Sequence, residues 1–458
     1  MKLRFDRAVA AMGARVVHAT ALPDFLDIVT DTRALQPGQT FLALRGEKFD
    51  GHAFLAQAFS AGATAVIIDQ AQRVPASRTC IVVADTLQAN LALGGLSRSQ
   101  FNGPLIAITG SNGKTTTKEF LAHLLRRAFA DRILASKANE NNEIGVSKLL
   151  LMIDDTRHDA VVVEMGARHP GDIARLVAVA RPTIGILTNI GEAHLEIFGS
   201  REELSATKWG LFSTGAQAIL NADDAESRAR AGTLDKAPLW FAALDTLEDL
   251  RIDGDCVIML GSNQLAIRTA GEWEYHPMTT PLSGRHHRSN LAAAIAGARC
   301  IGIPIDRIIA ACADVQLPAG RYQTLSLPSL PRIIYDAYNA NPSSVRAALD
   351  TFAHEAGRTR IAVLASMAEL GSDSPRMHEE IGAYAASRVD MLLAGGEFAE
   401  ALARGAQNAG LSSEKIATFS SNDEAVALVR ARATHDDVLL LKGSRRYKLE
   451  EIIERLGS

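Results

Sequence analysis

Apolar positions in this chain come as short unbroken runs, separated by stretches in which they recur every three or four residues. Unbroken runs bounded by turn residues read as buried strands, and the helical period reads as an amphipathic helix. The first such runs lie at 41–44, 65–68 and 80–83, with helical spacing at 53–61 and 86–98. After Ser99-Gln-Phe-Asn-Gly-Pro104, which reads as a linker, further runs fall at 105–108, 160–163 and 183–187. The stretch 221–278 reads as partly β, and a polar run at 281–290 leads into an alanine-rich helix at 291–300. From 318 onward the alternation is regular. Strands at 333–335, 361–364, 391–393 and 438–441 are interleaved with helices at 342–355, 375–387, 398–408, 423–433 and 448–456. That order predicts a doubly wound, mostly parallel sheet.

A chain of 458 residues exceeds one hydrophobic core. The pattern divides it into three α/β units, 1–98, 99–317 and 318–458. Hydrophobic residues make up 47% and charged residues 22%, an ordinary globular balance. The net charge of −4 gives no general attraction to nucleic acid or to an anionic membrane. Cys80, Cys256, Cys300 and Cys312 lie far apart, and are expected as buried free thiols in a reducing compartment. No uncharged apolar run is long enough to cross a membrane, and the first residues lack the apolar centre of a signal peptide. A cytoplasmic protein without membrane insertion is therefore expected.

Candidate chemistry centres on Leu105-Ile-Ala-Ile-Thr-Gly-Ser-Asn-Gly-Lys-Thr-Thr-Thr117. A strand, a glycine loop and a helix start form the arrangement that cradles phosphates, through converging N–H groups and the positive end of the helix. Ile108 occupies the position of the first Walker A glycine, so the match is the short G-x-x-G-K-T form. Gly110, Ser111, Asn112 and Gly113 would wrap the phosphates. Lys114 would reach the outer ones, and the hydroxyl of Thr115 or Thr116 would hold Mg²⁺. Asn139-Glu-Asn-Asn142 suits a ligand-facing loop, with Asn141 and Asn142 as candidates. Glu164 closes the strand at 160–163, where an acid commonly holds Mg²⁺. Asn189, Glu192, His194 and Glu196 crowd the end of the next strand, pointing to a metal or phosphate role. Lys208, on a helical run, reads by itself as a surface lysine.

Two polar clusters mark the first unit, Thr30-Asp31-Thr32-Arg33 and Arg45 to His52; each suits either a ligand loop or plain turn chemistry. In the last unit, strand ends carry Asp336-Ala-Tyr-Asn-Ala-Asn-Pro342, Met367-Ala-Glu-Leu-Gly371 and Lys442-Gly-Ser444, the place where such sheets bind ligands.

Taken together these strings resemble the Mur ligases, over nearly the whole chain and in the right order. The resemblance implies three domains: one for a UDP-linked precursor, a central ATPase domain with the phosphate loop, and a Rossmann-like C-terminal domain. Asp336 to Pro342 is similar to the string of the family member that adds D-alanyl-D-alanine. The implied activity is ATP-dependent ligation of D-alanyl-D-alanine to UDP-N-acetylmuramoyl-tripeptide in peptidoglycan precursor synthesis, by a monomer. The implied roles are Thr115 and Glu164 on Mg²⁺, His194 on a second Mg²⁺, and Lys208 as a carbamylated lysine bridging to that metal. Asn290, with His286 nearby, would contact adenine. Arg321 and Asp336 would meet ATP from the C-terminal side, and Thr30 to Arg33 the uridine part. Asn141, Asn142, Asn339 and Asn341 would face the other substrates. Two further readings fit the same residues: a paralogue joining another amine to a related carboxylate, and a nucleotide-driven switch or motor.

Overall fold

The computed structural model describes residues 2–17, 22–46, 49–70, 78–191, 195–328 and 330–457. Glu47, Lys48, Glu192 and His194 lie outside the described residues, and so does the metal role expected of His194.

Three larger sheets carry the fold. The first has five strands, with Ile28–Val29, Thr40–Leu42, Ala65–Ile68 and Thr79–Val82 parallel and Arg15–Val17 antiparallel at one edge. The long helix Thr86–Ser99 follows, capped by Asp85, whose carboxylate accepts from the N–H groups of Leu87 and Gln88. The expected linker after it is packed rather than loose. Phe101 is buried, and the buried Arg98 donates to the carbonyl of Ala180 at 2.9 Å.

The second sheet has nine strands. Leu105–Thr109 sits between Ala160–Glu164 and Ile184–Leu187, in parallel register with both. Ile133–Ala135 closes one edge. On the other side the sheet continues through Gln217–Asn221, Leu239–Leu244 and Cys256–Leu260, then turns antiparallel through Gln264–Thr269 and Glu272–Pro277. The stretch read as partly β is thus the far half of this sheet. Residues of Leu105–Thr109 are buried on both faces, which is why the strand reads as one apolar run.

The third sheet has six strands. Arg332–Tyr335, Val438–Lys442, Arg360–Ala365, Met391–Gly395 and Ile416–Phe419 are parallel, with Gln323–Leu325 antiparallel at the edge. This is the doubly wound α/β sheet that the alternation predicts. The polar loops after three of its strands leave from one edge of the sheet, the carboxyl edge. Of the cysteines, Cys80, Cys256 and Cys312 are buried free thiols, whereas Cys300 is exposed, at the last residue of the helix Arg285–Cys300. Among the described residues no helix is long and apolar enough to cross a membrane.

Candidate active site

The loop between Leu105–Thr109 and the helix Lys114–Phe129 turns on two glycines with positive φ, Gly110 at 149° and Gly113 at 81°. A Cβ on Gly110 would lie 1.9 Å from Thr188 Oγ1, and one on Gly113 would lie 2.3 Å from Asn290 Oδ1. Both positions therefore exclude any side chain. The loop is held from the neighbouring strand end. Ser111 N donates to Asn189 O at 2.9 Å, Asn112 N to Asn189 Oδ1 at 3.0 Å, and Thr188 Oγ1 to Asn112 O at 2.5 Å. Asn189, the first residue of the polar cluster at that strand end, fixes the loop's shape. The first turn of the helix presents N–H groups that have no partner within the helix.

Two lysines converge on one carbonyl oxygen. Lys114 Nζ donates to Gly110 O at 2.7 Å and Lys208 Nζ donates to the same oxygen at 3.2 Å. Lys208 is no surface residue. It is 3% exposed, on the helix Arg201–Trp209. Burial drives its pKa well below the ordinary lysine value, and the charge of Lys114 lowers it further. Burial lowers Lys114 as well, against the opposing pull of Glu164. Glu164 ends its strand almost fully buried. Its Oε1 accepts from Asn141 Nδ2 at 2.8 Å, and its Oε2 is buried without a hydrogen-bond partner.

An orphaned carboxylate oxygen near the Lys114 amine and the phosphate loop fits a divalent cation. Mg²⁺ takes one or two carboxylates and completes its shell from phosphate and water. Among the described residues no cluster of three metal-ligating side chains stands ready. The chain's donors would be Glu164 and Thr115.

Beside the loop opens a cavity of about 820 Å³, at the carboxyl ends of the central strands. From the central unit it is lined by Asn112, Gly113, Thr116 and the run Ser283 to Asn290. That run, read as preceding a helix, is mostly the helix itself, which starts at Arg285. The His286 and His287 rings lie with centroids 3.8 Å apart, tilted by 46°, and burial lowers the pKa of both. Neutral imidazoles give an uncharged aromatic wall. Asn290 sits at the phosphate-loop end of this wall, where its Oδ1 accepts from Thr117 Oγ1 at 3.4 Å.

The third unit supplies the opposite wall, with Arg321, Asp336, Ser343 and Lys442 among its residues. The buried Lys442 donates to Asp336 Oδ2 at 3.0 Å and to Asn339 O at 2.9 Å. Arg321 lies over the Tyr338 ring, 4.2 Å from its centroid. The two units touch at the phosphate loop. Asn341 Nδ2 donates to Asn112 Oδ1 at 2.7 Å, and Asn112 Nδ2 donates to Ser343 Oγ at 2.7 Å.

Some candidates stand elsewhere or have other partners. Asn341 caps the helix Pro342–Phe352, accepting from Ser344 N at 2.9 Å, so its amide is committed to the cap and to Asn112 rather than open to a dipeptide. Asn142 likewise caps Glu143–Leu151, and Asn141 is taken by Glu164. Asn339 is exposed. Thr30, Asp31, Thr32 and Arg33 do not line the cavity. There the Arg33 guanidinium, bonded to Asp31 at 2.7 Å, holds that carboxyl down at about 2. In the neighbouring string, the buried His52 joins Asp50 at 2.6 Å and accepts from Asp69 N at 3.2 Å.

Profiles of the Mur ligase family match the chain in three places. The family's catalytic domain matches residues 27–97, the middle domain 108–298 and the glutamate ligase domain 320–445. A UDP-N-acetylmuramoyl-tripeptide–D-alanyl-D-alanine ligase from Synechocystis sp. is 35% identical, over 94% of this chain and 91% of its own. The chain belongs to the Mur ligase family. The Escherichia coli ligase of the same description is 31% identical, over 94% of this chain and 93% of its own. Among solved structures, MurF from Acinetobacter baumannii superimposes with a TM-score of 0.86 at 29% identity, covering 100% of this chain and 99% of that one. MurF from Thermotoga maritima, solved in complex with ADP, gives 0.79 at 26% identity, covering 94% and 97%. The three-domain Mur ligase fold and an ATP-dependent ligase activity follow for this chain.

Proposed function

We propose that this Mur ligase joins D-alanyl-D-alanine to the peptide carboxylate of UDP-N-acetylmuramoyl-tripeptide, forming ADP and phosphate. The observation that carries this reading is the phosphate loop facing the Asp336–Pro342 string across one cavity, tied to it through Asn112 and Asn341. The names of the relatives at 29–35% identity agree with it. The three domains divide near residues 98 and 317. The protein works as a cytoplasmic monomer in peptidoglycan synthesis.

A carboxylate repels an attacking amine and has no usable leaving group. Its oxygen therefore attacks the γ-phosphorus of ATP, the bond to ADP breaks, and an acyl phosphate results. The amine nitrogen then attacks the carbonyl carbon, phosphate departs with the bonding pair, and the nitrogen sheds its proton. The first step spreads negative charge over the transferring group, which pre-placed cations stabilise. Lys114 supplies one such charge. Mg²⁺, held by Thr115 and Glu164, would neutralise the phosphate oxygens, and the carboxylated form of Lys208 would bridge to a second metal. His194 would serve that second Mg²⁺. The Ser283–Asn290 wall takes the nucleoside, and Arg321 and Asp336 close on ATP from the other side. The contact between Asn112 and Asn341 keeps the two walls together and helps exclude water from the acyl phosphate. Thr30 to Arg33 meet the uridine part.

Phosphate release from ATP is expected to require both the UDP-linked tripeptide and D-alanyl-D-alanine. Release at equal rate with neither would favour a switch or motor. Release that needs the tripeptide but ignores the dipeptide would point to another amine.

The two asparagines of the Asp336 string should separate. Asn339→Ala is expected to raise the KM for D-alanyl-D-alanine more than the KM for ATP, because its exposed amide both donates and accepts and so suits a zwitterion. Asn341→Ala is expected to disturb both substrates and to lower stability by about 1 kcal/mol through the lost cap. Equal shifts of the two KM values in Asn339→Ala would remove the dipeptide role.

A further inference from the structure

The helix that begins with Lys114 carries a second lysine one turn later, and no part of it is exposed. Lys118 is 0% exposed, yet nothing in the triphosphate chemistry uses it. Its Nζ donates to Ser136 O at 2.9 Å, reaches Ala138 O at 3.5 Å, and lies 2.5 Å from Glu119 Oε1. An ammonium has three protons and accepts nothing, and here three oxygens face it. A side chain this expensive to desolvate is retained only where its partners are well placed.

Those partners begin the loop that runs from Ser136 to Asn142 and packs against the end of the strand Ala160–Glu164. Ser136 Oγ accepts from Glu164 N at 3.0 Å. Ala138 sits at a φ of 45°, a left-handed conformation that alanine adopts only when its surroundings impose it. Farther along, Asn141 O accepts from Gly166 N at 2.8 Å, and Asn141 Nδ2 donates to Glu164 Oε1 at 2.8 Å. Gly166 leaves room for this approach, since a Cβ there would lie 2.8 Å from Asn141 Oδ1. The loop thus holds Glu164 at two points, and Lys118 holds the first half of the loop to the phosphate-loop helix.

We propose that Lys118 is a positioning residue for Glu164. It ties the segment Ser136–Ala138 to the helix that carries Lys114. Asn141 then occupies one oxygen of Glu164 and leaves the other bare for the metal. A single helix thereby sets both the phosphate cation and, through the loop, the metal carboxylate. The inference rests on Glu164 being the metal carboxylate.

The test is Mn²⁺ titration of the full chain saturated with ATP, read by water-proton relaxation, which separates protein-bound from nucleotide-bound metal. Glu164→Gln is the control. If it binds Mn²⁺ as the unaltered protein does, the metal reading itself fails. With that control weakened, Lys118→Met is expected to raise the Mn²⁺ Kd roughly tenfold or more, the range for lost outer-sphere partners. Lys118→Gln keeps two donors and is expected to fall between. Lys118→Met combined with Asn141→Ala should bind little worse than the weaker single variant, because both act through one carboxylate. A merely structural lysine would lower the melting temperature and leave Mn²⁺ affinity unchanged, or give losses that add; either result overturns the proposal. If Lys118→Met does not fold, Lys118→Gln alone and with Asn141→Ala decides by the same readings.

Discussion

Lys208→Ala is expected to be nearly inactive, and short carboxylates such as acetate are expected to restore part of the activity. The position explains why. Lys208 is buried, the one hydrogen bond its Nζ makes among the described residues is to Gly110 O, and that oxygen already accepts from Lys114. A second ammonium at this spot would repel both Lys114 and any metal held by Glu164. Burial and Lys114 together favour the neutral amine, the form that reacts with CO₂. The product is a carbamate, whose negative charge suits its surroundings where the ammonium did not. No acid follows Lys208 in its own helix, where Trp209 and Gly210 come next, and Glu202 and Glu203 lie back in the first turn. The carbamate would depend on the loop and the metal for its orientation. Acetate can enter the space left by alanine and supply an anion. Full activity in Lys208→Ala would return the residue to a packing role. Inactivity without rescue, together with a bare lysine in an electron-density map, would mean that the amine itself does the work.

The parts of the fold that could be read in advance are those where one physical demand sets the residue type. Parallel strands buried on both faces need unbroken apolar runs, so 105–108, 361–364 and 438–441 stood out. The phosphate loop stood out because Gly110 and Gly113 hold conformations and close approaches that other residues cannot. The start of Arg285–Cys300 did not, since its first turns face a polar cavity and carry no apolar period. Ile416–Phe419 is mostly half-buried and gave a weak signal.

The site divides in the same way. Lys114, Glu164, Asn290 and Asp336 were marked by local strings. The pairing of Asn112 with Asn341 joins residues 229 positions apart, and no local pattern announces it. Lys118 looks like any charged helix residue until the carbonyls of Ser136 and Ala138 are placed beside it. Residue type showed which groups could do chemistry; long-range packing decided which of them were already engaged, as with Asn141, Asn142 and Asn341.

Lys114→Ala is expected to lower turnover by about 10²–10³-fold, the loss that accompanies removal of one transition-state donor. The effect should fall on kcat, because charge on the transferring phosphoryl group grows toward the transition state and the lysine's attraction grows with it. Folding should hold or improve slightly. The lysine packs against its own loop, donating to Gly110 O at 2.7 Å and Ser111 O at 3.1 Å, and burial disfavours its charge. Its removal also lifts a repulsion from Lys208. The Lys208 amine would then hold its proton more readily and form the carbamate less completely. Part of the loss in Lys114→Ala is therefore indirect, and should shrink when bicarbonate is added in excess. Steady-state kinetics with and without bicarbonate separate the two parts. A variant with near-normal kcat would remove Lys114 from the phosphoryl transfer. A loss fully repaired by bicarbonate would leave it only the task of tuning Lys208.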